Sequence, residues 1–136
     1  MALAMSRAHL MVALLAVPLL VLGGCGDDDV FRTDRPLLRL TLDEYRIVPQ
    51  NVIVKPGRTK LIVRNTGRLT HNLAIQIPEG PDGKPLDLPG GRVGTMQPGE
   101  AGEPIKVTLK PGEYRLVCTI ANHDDLGQYA TLKVQR

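Results

Sequence analysis

Tryptophan is absent from this chain, phenylalanine occurs once, and aromatic residues make up only 3% of its 136 positions. Its 17 basic and 14 acidic residues give a net charge of +3, and the basic ones are scattered along the sequence rather than clustered. A nucleic-acid surface wants a basic patch and often stacking aromatics, so that class of partner is excluded. There is no internal repeat, no sign of a second domain and no convincing helical periodicity. Cysteine occurs only twice, at Cys25 and Cys118, and histidine three times, at His9, His71 and His123.

The apolar run from Leu10 to Leu22 follows a segment carrying Arg7 and is too short to span a membrane comfortably. It closes as Gly23-Gly24-Cys25, which resembles the bacterial lipobox. That resemblance implies a signal peptide over 1–24, acylation of Cys25, and a protein anchored by lipid on the extracytoplasmic side of a bacterial membrane. A plain secretory signal with a chance cysteine is the alternative. Residues 25–36, with Asp27, Asp28 and Asp29, are expected to form a flexible, solvated linker, and 37–136 a single domain. A lipid on Cys25 leaves Cys118 without a disulfide partner; a Cys25–Cys118 bridge competes with this reading, since exported chains permit one. An unpaired thiol in an oxidising compartment needs a role, and metal ligation is one.

From about Leu37 the chain is a series of short alternating runs: LLRLTLD, NVIVK, TKLIVRN, HNLAIQI, PIKVTLK, EYRLVC and YATLKVQ. Period-two alternation over four to seven residues marks half-buried strands. Pro-Gly recurs at 55–58, 97–100 and 110–113, the chemistry of type II turns. Seven to eight strands with frequent turns predict an all-β protein, an antiparallel β-sandwich. The Pro/Gly-rich stretch 78–94 is expected as one long connection.

His71 opens the run HNLAIQI, Cys118 ends EYRLVC, and His123 follows in the next loop. If the two runs are antiparallel neighbours, the start of one lies beside the end of the other, and the four-residue gap lets His123 fold back toward Cys118. One thiolate and two imidazoles with a weak axial fourth ligand suit copper. Zinc could use the same residues, although structural zinc sites usually carry four strong ligands. A Cys–His catalytic pair is a further alternative, without a nucleophile elbow or helix N-terminus to support it.

The elements VIVKPGRTKLIVRNTGRLTHNLAI and PGEYRLVCTIANHDDLGQYATLKV resemble the cupredoxins, the blue copper proteins of the plastocyanin and azurin type. The resemblance covers about residues 40–136. It implies a Greek-key sandwich and one-electron transfer, with His71, Cys118 and His123 as equatorial copper ligands. It also implies that Asn72 ties the ligand loops together by hydrogen bonding. Where many relatives have Gly-Met, this chain has Gly127-Gln128, so Gln128 is expected as the axial ligand through its amide oxygen. Met96 is the only thioether rival. A binuclear copper centre would need a second ligating cysteine.

The expected function is therefore a monomeric type 1 copper protein, not an enzyme, exchanging single electrons with redox protein partners at the membrane surface. A copper-delivery protein and a cupredoxin-fold interaction module are the alternatives, and Asp124 and Asp125 beside His123 keep both open.

Overall fold

A computed structural model describes residues 29–136; the expected leader 1–24 and Cys25 lie outside the described residues. Ten strands follow in order: β1 (Val30–Thr33), β2 (Leu37–Asp43), β3 (Arg46–Val48), β4 (Asn51–Val54), β5 (Gly57–Asn65), β6 (His71–Ile77), β7 (Leu86–Met96), β8 (Ile105–Leu109), β9 (Gly112–Val117) and β10 (Tyr129–Val134). They form a six-stranded sheet, β1-β4-β10-β9-β6-β7, packed on a four-stranded sheet, β3-β2-β5-β8.

Alternation decides which side of each strand is inside. In β2, Leu38, Leu40 and Leu42 are buried while Leu37, Arg39, Thr41 and Asp43 are not. Leu61 and Val63 of β5, Leu73 and Ile75 of β6, Leu116 of β9 and Leu132 of β10 complete the same core. Each such side chain contributes about 1.5–3 kcal/mol by leaving water. The phenol of Tyr114 donates to the Lys110 carbonyl at 3.0 Å, which ties the turn before β9 to that strand.

The β-sandwich is as expected, with five differences in detail. Strands number ten, and the sheets are mixed rather than purely antiparallel: β1 and β10 both pair with β4 in parallel, and β2 pairs with β5 in parallel. Between β2 and β5 the chain lays β3 in one sheet and β4 in the other, so β5 returns in the direction of β2. The segment 25–36, expected as a linker, contains β1, whose VFRT shows no buried–exposed alternation and so carries no periodic signal.

The connection expected over 78–94 ends at Leu86, where β7 begins. Its pairing with β6 is interrupted by two register shifts, and Gly90 has φ of 73°, so the period of two is broken. Of the three Pro-Gly sites, only Gly99, at φ 82°, has the type II value; Gly57 and Gly112, at 134° and 149°, are more extended and open β5 and β9 directly.

Candidate metal centre

β6 and β9 are antiparallel neighbours, with Ala74 opposite Val117. Continuing that register puts the start of β6 beside the residues just after β9, where Cys118 stands. Cys118 and His71 are fully buried, and His123 is partly buried in the turn-rich loop 119–128. Both imidazoles turn Nδ1 toward the thiol: Cys118 Sγ is 3.9 Å from His71 Nδ1 and 3.7 Å from His123 Nδ1. The two rings are edge-on at 5.2 Å. All three donor atoms lie within 4.8 Å of one another.

That spacing fits a shared ion. A nitrogen about 2.0 Å and a sulfur about 2.3 Å from one metal, at trigonal angles, would be roughly 3.7 Å apart. The donor set, one soft thiolate with two imidazoles, is the set copper favours.

The loop is held by its own backbone. His123 N–H donates to Ile120 at 3.2 Å, Gln128 N–H to His123 at 3.0 Å, and Cys118 N–H to Gln128 at 3.2 Å. Ala121 at φ 47° and Gly127 at φ 111° supply the reversals. Gln128 is thereby bonded through its main chain to both Cys118 and His123, and its side chain is fully buried. Its Nε2 donates to the Asp43 carbonyl at 2.6 Å, while Oε1 has no hydrogen-bond partner. A buried orphan acceptor costs about 1–3 kcal/mol unless something meets it.

Asn72 clamps the other side. Its Oδ1 accepts from Thr119 N–H at 2.8 Å and its Nδ2 donates to Thr119 Oγ1 at 2.9 Å, joining the residue after His71 to the residue after Cys118. Met96 faces His71 across β6 and β7, but its sulfur packs in the core against Gly102.

Three residues with no motif in the sequence complete the site. Asp43, Glu44 and Tyr45 form the corner between β2 and β3, in the four-stranded sheet. Asp43 holds Gln128 as described, Tyr45 meets the His123 ring edge-on at 5.3 Å, and Glu44 Oε1 lies 3.5 Å from His71 Nε2. The last contact is longer than a hydrogen bond, so Nε2 remains buried without a partner. Glu44 also accepts from the N–H groups of Arg68 and Leu69, the latter at 2.8 Å. The Leu69 N–H, followed by that of Arg68 and by His71, holds the Glu44 carboxyl below its ordinary range against a smaller effect of burial. Burial pushes His71 below its ordinary 6.5 and His123 adds to this, while Glu44 opposes it. Asn65, buried at the end of β5, bonds Leu69 O at 2.7 Å and Met96 O at 3.0 Å and so shapes the turn that delivers His71. Its only sequence signal is the Asn-x-Gly of that turn.

No family model matches the chain, and no curated protein sequence matches it. Solved structures do. The chain is similar to an auracyanin from the photosynthetic bacterium Roseiflexus castenholzii, with TM-score 0.64 and 20% identity over 76% of this chain and 100% of that one. It is similar to rusticyanin from Thiobacillus ferrooxidans, with TM-score 0.57 and 14% identity over 78% and 82% of the two chains. A purple cupredoxin from Nitrosopumilus maritimus matches with TM-score 0.51 and 16% identity over 71% and 98%. The fold is thus the cupredoxin sandwich, and the His-Cys-His group lies at one end of it.

Proposed function

We propose that this protein is a one-electron carrier with a single type 1 copper centre, held by His71, Cys118 and His123 with Gln128 Oε1 as the axial ligand. The observation that carries the reading is the convergence of both Nδ1 atoms on one buried thiol, at 3.7 and 3.9 Å. Bound copper supplies the Cu(II)/Cu(I) couple. Cys118 contributes the thiolate, and the two histidines, fixed by a strand start and a hydrogen-bonded loop, keep the donor arrangement the same in both oxidation states. Gln128 is oriented by Asp43 so that only its oxygen is free, and a hard oxygen donor favours Cu(II).

Burial of Cys118 and His71 supports retention of the metal over delivery to another protein. Leu69 and Leu126, 41% and 51% exposed on the loops that precede His71 and follow His123, offer an apolar rim for redox protein partners. Export, acylation at Cys25 and a place on the extracytoplasmic side of a bacterial membrane are part of the proposal and rest on the lipobox resemblance.

An optical spectrum taken after adding Cu(II) tests the reading. An intense thiolate-to-copper band that vanishes in Cys118→Ala supports it. A colourless protein with only weak d–d absorption removes it.

A further inference from the structure

Basic residues that are scattered in the sequence come together in the fold. On the four-stranded sheet the outward positions of β2, β5 and β8 carry Arg39, Arg58, Lys60, Arg64 and Lys106, all exposed. The only acidic residue at those positions is Asp43, which is already paired with Arg46 at 3.8 Å. None of the five cations has an ion-pair partner among the described residues. Lys60 and Lys106 are placed directly opposite each other in the β5–β8 register, an arrangement that repels. On the six-stranded sheet, apart from Arg32 on the edge strand β1, the cations are paired: Lys133 with Glu113, Arg92 with Asp87, and Arg115 with Asp124.

We infer that this basic face is a docking surface for an anionic lipid bilayer. The charges are spread over three strands about 4.8 Å apart: Arg58, Lys60 and Lys106 share one shallow, open groove with Pro36, and Arg39 and Arg64 extend the positive surface beyond it. That suits a fluid array of phosphate headgroups, which adjusts its spacing, better than a protein with a fixed array of carboxylates. The flank of the face adds the second ingredient of an interfacial contact. Phe31 and Val30 on β1 are 45% and 47% exposed, and Phe31 lines a cleft with Arg35, Leu37 and Arg39 that leads onto the basic sheet. Exposed apolar side chains beside cations are what enters the headgroup boundary. The chain also reaches this edge early: Cys25 is five positions before Val30, at most about 18 Å of extended backbone. Arg58, Lys60 and Lys106 lie toward the Leu37 end of β2 and the metal site beyond its other end, beside Asp43 and Glu44, with Arg64 the one cation of the five toward that end; a molecule seated on the Leu37 end of the face keeps the site clear of the lipid.

The surface acts without the metal and without acylation, so both are removed for the test. The chain from residue 25 with Cys25→Ser retains the whole described sandwich and its core. It is sedimented with phosphatidylcholine vesicles and with equimolar phosphatidylcholine–phosphatidylglycerol vesicles. Binding is expected only to the anionic vesicles, with loss in high salt. Arg58→Gln, Lys60→Gln and Lys106→Gln should each weaken it about fivefold, and Phe31→Ser should weaken it without changing the salt dependence. Lys133→Gln, on the paired face, should leave binding as it was. All these positions are exposed, and unchanged circular dichroism and melting curves verify that the variants fold. Equal binding to both vesicle types, or equal losses from Lys133→Gln and Lys60→Gln, overturns the inference. Absence of vesicle binding together with salt-sensitive binding to polyglutamate also overturns it, in favour of an acidic protein partner.

Discussion

Gln128 Nε2 donates to the main-chain oxygen of Asp43 at 2.6 Å, and the amide oxygen of the same side chain is buried without a partner. A carbonyl can only accept, so this one bond settles which end of the amide is free. Replacing Gln128 with Met substitutes a softer donor and should raise the reduction potential. At least a tenfold shift in the Cu(II)/Cu(I) ratio is expected, about 59 mV for one electron. Spectroelectrochemical titration measures it; an unchanged or lowered potential removes Gln128 from the coordination sphere.

Glu44 faces His71 Nε2 while accepting two main-chain N–H groups of the preceding turn. Carboxylates behind a ligating imidazole typically alter metal affinity about 10–100-fold when lost. Glu44→Ala should show that loss in a chelator competition, whereas Glu44→Gln, which still offers an acceptor oxygen to the turn, should lose less affinity. A role confined to anchoring the turn predicts that Glu44→Gln has the wild-type potential; if its potential rises, the charge itself acts on the metal.

Asn72 joins the two ligand segments through Thr119. Asn72→Ala releases the exposed Thr119 N–H to water and, through loss of the net hydrogen bond, should cost about 1 kcal/mol in denaturant unfolding. It should also broaden the thiolate-to-copper band, because Cys118 directly precedes the released residue. A sharp, unshifted band would show that the clamp does not position the thiolate.

The metal-free protein should be acid-sensitive on account of His71. Burial keeps its pKa below the ordinary 6.5 in the folded state. The unfolded chain therefore takes up a proton first, and stability rises with pH wherever it binds more protons. This contribution is complete above about pH 6.5 and is lost as pH falls below that toward the lowered folded value. Melting curves of the metal-free protein from about pH 8 to pH 5 test this, with His71→Asn as the flattened reference. A melting temperature that is level across the range, equal in slope to the variant's, contradicts it.

Much of this molecule is legible one residue at a time. Leu38, Leu40 and Leu42 announce β2, and Cys118, His123 and Gln128 sit at spacings a single loop can close. What stayed hidden is whatever depends on two distant segments. Glu44 lies 27 positions before His71 and looks like any surface acid; only the pairing of β2 with β5 brings it to the turn before β6. β1 has no periodicity because it is an exposed edge strand, held by its pairing with β4. The basic face is similar. Arg39, Lys60 and Lys106 are far apart in sequence, and it takes the strand order β2-β5-β8 to make them neighbours.

The corner Asp43–Glu44–Tyr45 belongs to one sheet, while the residues it touches, His71, His123 and Gln128, belong to the other or to its loops. Loading the site would then act as a cross-link between the two halves of the sandwich. The stabilisation from ligand binding, set by concentration relative to the dissociation constant, would reach residues that never touch metal. Amide hydrogens of β2 and β3 should accordingly exchange with solvent more slowly as the site fills, in step with those of β6 and β9.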